Sequence, residues 1–284
     1  RPSLSALSMA VMLLTLAAML SALSGIGRGI RLLSNLNMAL SWLLLVIFVV
    51  FGATAFAGEM FIAGLVAYLK GIPAMSVTVW NGGDTATAQS LSDWQSAWTI
   101  FYWAWWIAFT PFVGLFLARV SRGRTIREYV VGAILLPAMM CFAWFCIVGG
   151  TALDLELRGV AQGSILEADL SAQLFATVER LFAADWVPPV ATLCVVLLIT
   201  YLVTSADSAV LVINTIVSGG APDGVRSRHI VLWSVLLGLV IITLLFAGGM
   251  DALRSVMIIG ALPFSAVMVF MLCALLYALW NDGR

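Results

Sequence analysis

The chain has 284 residues, of which 63% are apolar and only 10% are charged. Soluble domains average about 25% charged residues, and a globule of this size could not hide so much apolar surface from water. The composition therefore excludes a soluble globule, a disordered chain and a disulfide-rich secreted scaffold. Basic and acidic residues are equal in number, so the formal net charge is zero and no nucleic-acid partner is expected. We expect an integral membrane protein in contact with the lipid bilayer.

Seven stretches are long enough to cross a bilayer core as helices, which takes about 20 residues each. Apolar residues do not alternate with period two, so these stretches are not strands of a barrel. In chain order they are 6–24, 36–57, 97–118, 129–150, 188–217, 230–247 and 253–279. The sequence thus predicts an all-α membrane protein with about seven transmembrane helices. The long fifth and seventh spans leave room for a tilt or a break. Because the first residue is Arg1 and no basic leader is seen, we expect more chain to precede it.

Basic residues are divided unevenly between the two sets of loops that seven spans create. Five lie on one side with most of the acidic residues, and nine lie on the other side. The nine are Arg28, Arg31, Arg119, Arg122, Arg124, Arg127, Arg226, Arg228 and Arg284. Loops rich in Lys and Arg stay in the cytoplasm, so the end of the chain is predicted to be cytoplasmic and its start to lie outside.

Two outer segments, 58–70 and 170–183, carry apolar residues three and four positions apart. This spacing predicts amphipathic helices that lie on the membrane surface or cap the helix bundle. We expect their main role to be packing.

The residues needed for covalent chemistry are missing from the sequence. It has one histidine, His229, and its four cysteines all fall within apolar spans. There is no phosphate-binding glycine loop, zinc-protease motif or nucleophile elbow. A retinal protein would need a lysine in its last helix, and the one lysine is Lys70 in an outer segment. We therefore expect neither an enzyme nor an organic cofactor.

An aromatic run lies within the third predicted span, 97–118. Trp94 and Trp98, at its start, fit the aromatic belt at the headgroup level. Trp105, Trp106 and Phe109 lie instead near hydrocarbon depth, where Pro111 is expected to interrupt the helix. Indole faces suit a quaternary ammonium group, which is weakly hydrated and donates no hydrogen bond. Helix–helix packing by large rings explains the same run equally well.

Three segments make a specific resemblance. Residues 97–106 (AWTIFYWAWW) resemble the signature of the betaine/choline/carnitine transporter family. Residues 118–128 (ARVSRGRTIRE) resemble the next cytoplasmic loop of that family, and 203–208 (VTSADS) resemble a third segment. Their order and spacing agree with the family, and the resemblance covers essentially the whole chain.

The resemblance implies a leucine-transporter-like fold, in which two five-helix repeats have inverted topology. Residues 1–57 then hold the last two helices of the first repeat, 58–96 the outer amphipathic helix and loop, and 97–284 the complete second repeat. The family's substrate and ion sites lie between the repeats. The resemblance also implies a homotrimer in a bacterial inner membrane.

The resemblance further implies which side chains bind substrate. Positions matching Trp105 and Trp106 line the family's central site, and those matching Phe101 and Tyr102 lie towards its outer gate. A third family tryptophan is replaced here by Phe109, which still offers a ring face to an ammonium group. The implied substrate-binding set is Phe101, Tyr102, Trp103, Trp105, Trp106 and Phe109.

The same resemblance implies sodium as the coupling ion. Thr204 and Ser205, with the carbonyl of Tyr201, match one sodium site of the family, and Phe112 matches a position tied to a second. From the residues alone, the two hydroxyls could instead hydrogen-bond to carbonyls one turn earlier in the helix.

Other polar residues leave alternatives open. Asp207 is expected to be a helix-packing or inner-gate partner, with proton coupling as the alternative role. The basic loop of Arg119, Arg122, Arg124 and Arg127 sets topology and contacts anionic lipid, or it serves a regulatory contact with a cytoplasmic tail.

The expected function is the uptake of betaine-, choline- or carnitine-type solutes by alternating access, driven by sodium. Two alternatives stay open at this stage. One is a membrane-inserted segment that does not transport, and the other is an inverted-repeat symporter for amino acids or nucleobases.

Overall fold

The computed structural model describes residues 3–24, 31–218 and 227–282. Within these ranges all regular secondary structure is helical, which confirms the predicted fold class. The α-helices are α1 (Leu4–Ser24), α2 (Arg31–Phe51), α3 (Thr54–Val77), α4 (Ala86–Val120), α5 (Ile126–Val130), α6 (Leu136–Trp144), α7 (Gly150–Leu157), α8 (Gln173–Leu181), α9 (Val187–Val217), α10 (Ser227–Gly248) and α11 (Met250–Asp282). The loop cations Arg28, Arg226 and Arg284 lie outside the described residues.

Seven helical segments of the described chain are long and apolar enough to cross a membrane. Six of them match predicted spans, and the seventh is α3. The third predicted span lies in α4, a helix of 35 residues in which several side chains fall outside the described set. The repeat arrangement implied by the resemblance stays a prediction.

The end of the second predicted span was wrong. Residues 36–57 were expected to be one helix, but α2 ends at Phe51 and α3 begins at Thr54. The Thr151 hydroxyl accepts a hydrogen bond of 3.2 Å from the Ala53 N–H and so caps the start of α3. Gly52 fits at this corner because a β-carbon there would overlap the Phe48 carbonyl and the Thr151 hydroxyl. The contact between Ala53 and Thr151 at this corner is invisible in the hydropathy pattern.

The predicted surface helix at 58–70 is the middle of α3, which has 24 residues. Its large apolar side chains point in several directions, and Ile62, Leu69 and Met75 are all exposed. By length and composition α3 is able to span a bilayer, whereas the sequence pattern predicted a helix lying on the surface. If α3 crosses the membrane, eight spans result and both ends of the chain lie on one side.

A single helical segment, Ile126–Leu157, contains the fourth predicted span. It begins with a capping box, in which the Thr125 side chain accepts from the Glu128 N–H and the Glu128 carboxylate accepts from the Thr125 N–H. Two π-helical turns, Val131–Leu135 and Phe145–Gly149, interrupt the α-helical geometry. Such turns are rare in proteins, and those that occur often lie near functional sites.

The interruption expected at Pro111 does not occur, and the long fifth and seventh spans, for which a tilt or a break was open, contain no break. Helix α4 continues through Pro111, α11 continues through Pro263, and α9 runs without interruption from Val187 to Val217. Proline removes one helical hydrogen bond, but the flanking turns hold the helical path on both sides.

The described chain divides into two compact units. One consists of Arg1–Met19, Val77–Arg122 and Ala209–Arg284, and the other consists of Leu20–Ser76 and Gly123–Ser208. The division of the chain into 1–57, 58–96 and 97–284 follows sequence order and stays a prediction.

The second unit has a hydrophobic core formed by α2, α8 and α9. Its buried members are Leu44, Phe48, Val178, Val190, Cys194 and Leu197. The predicted amphipathic helix at 170–183 is confirmed as α8, whose buried residues are Thr177 and Val178. Burial of this one apolar face stabilises the short helix, which would be marginal in isolation.

A polar cap holds the loop that follows α7. The Glu156 carboxylate accepts hydrogen bonds from the backbone N–H groups of Gly163, Ile165 and Leu166. Gly163 has a φ of 85°, a left-handed conformation that favours glycine. One carboxylate thus fixes three backbone donors of the loop.

Candidate functional site

Helix α4 displays the aromatic run along its length. Its first turn is capped by Thr85, whose hydroxyl accepts from the Ala88 N–H at 3.2 Å. Among its described side chains Ala104 is the buried one, at 5% exposure. A small residue lets a neighbouring helix approach closely, and α11 packs along this helix. The small side chain of Ala104 therefore suits close packing of helices.

Four rings stack on one flank of α4. Trp98 and Tyr102 are stacked with centroids 5.9 Å apart, and Tyr102 and Trp105 are stacked at 6.0 Å. Phe101 contacts Tyr102 at 5.5 Å and Trp105 at 5.7 Å. Their spacing of three and four residues brings the rings together, because those positions are neighbours on a helix. We call Trp98, Phe101, Tyr102 and Trp105 the aromatic ladder.

The other predicted aromatic residues lie outside the aromatic ladder. Trp103 and Trp106 are 67% and 66% exposed, and within the described residues neither ring contacts another aromatic ring. Phe109 lies on the ladder's flank, one turn beyond Trp105, and is 43% exposed. The side chain of Phe112 is outside the described set. The predicted substrate set thus contains three rings of the aromatic ladder and other aromatic residues outside it.

Two members of this site were missed by the sequence analysis. Trp98 was assigned to the headgroup belt, yet its ring begins the aromatic ladder. Arg254, in the first turn of α11, has its guanidinium carbon 5.6 Å from the Trp98 ring centroid and 5.2 Å from that of Phe101. The i, i+4, i+7 spacing of Trp98, Tyr102 and Trp105 was a usable signal for the stack. No local pattern links Arg254 to a helix about 150 residues earlier in the sequence.

The hydrogen bonding of the backbone changes next to Pro111, close to the aromatic run. The Thr110 hydroxyl donates a hydrogen bond of 2.6 Å to the Trp106 carbonyl. Pro111 has no N–H, so the carbonyl one turn earlier loses its usual donor. The helix stays continuous, but its hydrogen bonding is altered beside Trp106 and Ile107.

The predicted ion residues lie on α9. The Thr204 hydroxyl lies 2.9 Å from the Thr200 carbonyl and 3.0 Å from the Tyr201 carbonyl, so it hydrogen-bonds one turn back. Its oxygen keeps lone pairs free to face a cation. Ser205 is exposed, and the Tyr201 ring is 57% exposed. Hard oxygens of hydroxyl and carbonyl groups suit a small hard cation such as sodium, and here they are close together on one helix.

Asp207 is completely buried in the second unit. Its carboxylate accepts hydrogen bonds from the Ser21 hydroxyl at 2.6 Å and the Ser208 hydroxyl at 3.2 Å. Asp207 thus contacts a serine of α1, and its expected role in helix packing, in the inner gate or in proton coupling stays a prediction. Among the described residues no arginine pairs with Asp207.

The basic loop leads into the segment Ile126–Leu157. Arg122, Arg124 and Arg127 are exposed, and the side chain of Arg119 lies outside the described set. Exposed cations beside a helix end are available to lipid headgroups or to another chain segment.

One known protein family matches almost the whole chain. The model of the betaine/carnitine/choline family of transporters matches residues 2–284. The chain belongs to this family. Members of the family are transporters rather than enzymes, in agreement with the lack of catalytic motifs.

Curated members of the transporter family show the same relationship. A glycine betaine transporter of Bacillus subtilis (strain 168) is 36% identical over 274 residues, which are 96% of this chain and 51% of that protein. A glycine betaine/proline/choline transporter of Vibrio parahaemolyticus is 33% identical, over 96% of this chain and 47% of that protein. An ectoine/hydroxyectoine transporter of Virgibacillus pantothenticus is 36% identical, over 93% and 50% respectively. The chain spans about half the length of the curated relatives it matches.

Proposed function

We propose that this chain takes part in the secondary active transport of betaine-like osmolytes across a bacterial membrane. Family membership supports transport, and the names of similar proteins include glycine betaine, proline, choline and ectoine. The observation that carries the proposal is the aromatic ladder, whose rings are in contact on one flank of a long apolar helix.

The ladder suits the chemistry of a methylated ammonium group. Such a group holds water weakly, so its transfer to ring faces costs little desolvation. Each ring face offers about 0.5–2 kcal/mol of cation–π attraction. Three or four rings supply a large part of the roughly 8 kcal/mol that corresponds to micromolar affinity. Trp105 and Phe109 are the central contacts in this proposal, and Trp106 and Trp103 are further proposed contacts from the same helix.

Sodium is the proposed coupling ion, with alternating access as the transport mechanism. The hydroxyl oxygens of Thr204 and Ser205 and the carbonyl of Tyr201 are the donors from this chain. Phe112 is the proposed contact to a second sodium ion. Support comes from the distance of 3.0 Å between the Thr204 hydroxyl and the Tyr201 carbonyl and from the family resemblance of residues 203–208.

The proposed setting is a multi-pass protein of the bacterial inner membrane with a cytoplasmic C-terminus. This orientation holds if α3 lies along the outer surface, since the basic loops then lie inside. A reporter fused after Asp282 and one inserted between α3 and α4 would report the two sides directly. The homotrimer remains a proposal that follows the family, and chemical cross-linking in native membranes tests it.

Uptake of labelled glycine betaine tests the function, using cells that express the intact gene encoding this chain. We expect saturable uptake that needs sodium and is inhibited by excess unlabelled betaine. Trp105→Ala should raise the half-saturation concentration by about tenfold or abolish uptake, because it removes the last ring of the ladder, which is the proposed central contact of the solute. Trp94→Ala is the matched control on the same helix, since Trp94 is exposed and outside the ladder.

Membrane abundance of each variant should be measured by immunoblot, so that lost uptake is not confused with lost protein. Absence of betaine, choline, proline and ectoine uptake by the wild-type protein would overturn the proposed function. Unchanged kinetics in Trp105→Ala would remove the aromatic ladder from the substrate site. Uptake driven by a proton gradient without sodium would overturn the proposed coupling alone.

A further inference from the structure

Arg254 places a cation against the outermost rings of the aromatic ladder. Its guanidinium carbon lies 5.6 Å from the Trp98 centroid and 5.2 Å from the Phe101 centroid. Both distances are within the range of cation–π attraction, and arginine is the side chain most often found in such contacts. Two rings therefore hold this guanidinium at one end of the ladder.

The charge of Arg254 is poorly neutralised within the described residues. Its ion-pair partner there is Asp251, at 3.8 Å from the Nη1 atom, and the Asp251 side chain is 91% exposed. The Arg254 Nε is buried and has no hydrogen-bond partner among the described groups. About a third of the side chain, 36%, remains exposed. An exposed ion pair at that distance contributes little, so the guanidinium keeps its capacity for an anion.

A guanidinium is well shaped to bind a carboxylate. It has five N–H donors in a planar fork, and its pairs with carboxylates are often bidentate. Ring contacts restrict the side chain in advance, which lowers the entropy lost when an anion binds. The remaining N–H groups of Arg254 thus form a preorganised point for an anionic group beside the ring faces.

The solutes named for the relatives differ in this respect. Glycine betaine, proline and ectoine each carry a carboxylate together with a positive charge, whereas choline carries the positive charge alone. A fixed cation beside the ladder attracts the carboxylate of a zwitterion and repels a solute that is only cationic. The rings favour the trimethylammonium group that glycine betaine and choline share, so Arg254 is the group that separates these two solutes.

We propose that Arg254, held on Trp98 and Phe101, recognises the carboxylate of zwitterionic osmolytes and makes the ladder prefer them to plain cations. This inference rests on the proposed transport function and adds a specificity-determining residue to it. With the C-terminus in the cytoplasm, Arg254 lies at the outer end of α11. The solute then meets this residue before it reaches Trp105.

Competition for uptake separates recognition from folding. Labelled glycine betaine uptake should be inhibited by increasing amounts of unlabelled betaine, of its methyl ester and of choline. The ester keeps the trimethylammonium group and loses the negative charge. In the wild-type protein betaine should inhibit at a lower concentration than either cation.

In Arg254→Gln the concentration of betaine needed for half-inhibition should rise by about tenfold or more, because a charge-assisted hydrogen bond is lost. The values for choline and the ester should stay constant or fall. Arg254→Lys keeps a cation that can contact the rings but loses the planar fork of N–H donors. The concentration of betaine for half-inhibition should therefore rise by less than in Arg254→Gln. Trp98→Leu removes one supporting ring and should also reduce the preference for betaine.

Arg158→Gln is the matched control for surface charge, since Arg158 is exposed and forms an ion pair with Asp154. It should leave all three inhibition curves unchanged. If Arg254→Gln weakens inhibition by betaine, the ester and choline equally, Arg254 only stabilises the packing of α11, and the proposal is overturned. Unchanged inhibition in Arg254→Gln and Arg254→Lys would overturn it as well. A wild-type protein that transports none of these solutes would refute the underlying function instead.

Discussion

The Ser21 hydroxyl donates a hydrogen bond of 2.6 Å to the carboxylate of Asp207, and Asp207 has no exposed surface. These residues are 186 positions apart and belong to α1 and α9. A buried carboxylate is costly unless its oxygens are hydrogen-bonded. The contact therefore fixes the two helices against each other at one defined register.

Removal of the donor should destabilise the protein. Ser21→Ala leaves one carboxylate oxygen of Asp207 with a weaker set of partners, which should lower the free energy of unfolding by about 1–3 kcal/mol. Thermal unfolding of the detergent-solubilised protein, followed by size-exclusion chromatography, measures the effect. Ser8→Ala is the control on the same helix, because the Ser8 hydroxyl is exposed and bonds only to the Leu4 carbonyl.

The pair should also show coupling. Asp207→Ala removes the acceptor, so Ser21→Ala should cost less in that background than in the wild type. Additive losses would show that the hydrogen bond contributes nothing to stability.

Gly52 should tolerate no side chain. Gly52→Ala places a β-carbon into the Phe48 carbonyl and the Thr151 hydroxyl, and a backbone carbonyl cannot move aside cheaply. We expect a loss of about 1–3 kcal/mol in the free energy of unfolding, typical of overpacking. Gly58→Ala, six residues later, is the control, because the β-carbon that it adds has open space around it. An equal melting temperature for both variants would contradict this account of the corner.

Loss of the α9 hydroxyls should weaken coupling rather than folding. Thr204→Ala combined with Ser205→Ala removes two proposed sodium ligands, so the sodium concentration for half-maximal uptake should rise several-fold. Thr215→Ala is the control, since its hydroxyl makes the same one-turn-back bond on the same helix. If both variants change the sodium dependence equally, helix geometry rather than ion binding is responsible.

Enlargement of one ring should strengthen solute binding. Phe109→Trp restores the larger ring that the family usually carries and adds ring face on the ladder's flank. Tryptophan gives the strongest cation–π contact, and a whole contact at an exposed site is worth about 0.5–1 kcal/mol, which limits the gain. The half-saturation concentration for betaine should therefore fall in uptake assays, by at most about fivefold. A rise in that concentration would show that Phe109 packs against a neighbour instead of facing the solute.

Most of the helical architecture followed from hydropathy, because apolar runs of this length have few other structures available in a bilayer. The end of α2 was missed because the Thr151 hydroxyl that caps α3 lies about 100 residues away in the sequence. The continuous path through Pro111 was missed because sequence rules treat proline locally, whereas the flanking turns maintain the helix.

The candidate site was predicted in part. The family resemblance put Phe101, Tyr102 and Trp105 in the substrate set, and these rings do pack together, although their role in binding stays a prediction. The contact of Arg254 with Trp98 and Phe101 could not be predicted, because the two rings belong to a helix that is distant in the sequence. The sequence could not predict that Ser21 is the partner of Asp207, because a short hydroxyl side chain in an apolar helix gives no charge pattern.

The π turn Phe145–Gly149 contains one residue more than an α-helical turn needs. Each residue rotates a helix by about 100°, so this extra residue decides which way Thr151 faces. Deletion of one residue from the turn would restore ordinary winding and swing Thr151 away from the Ala53 N–H. The corner between α2 and α3 therefore depends on the number of residues in one turn of another helix.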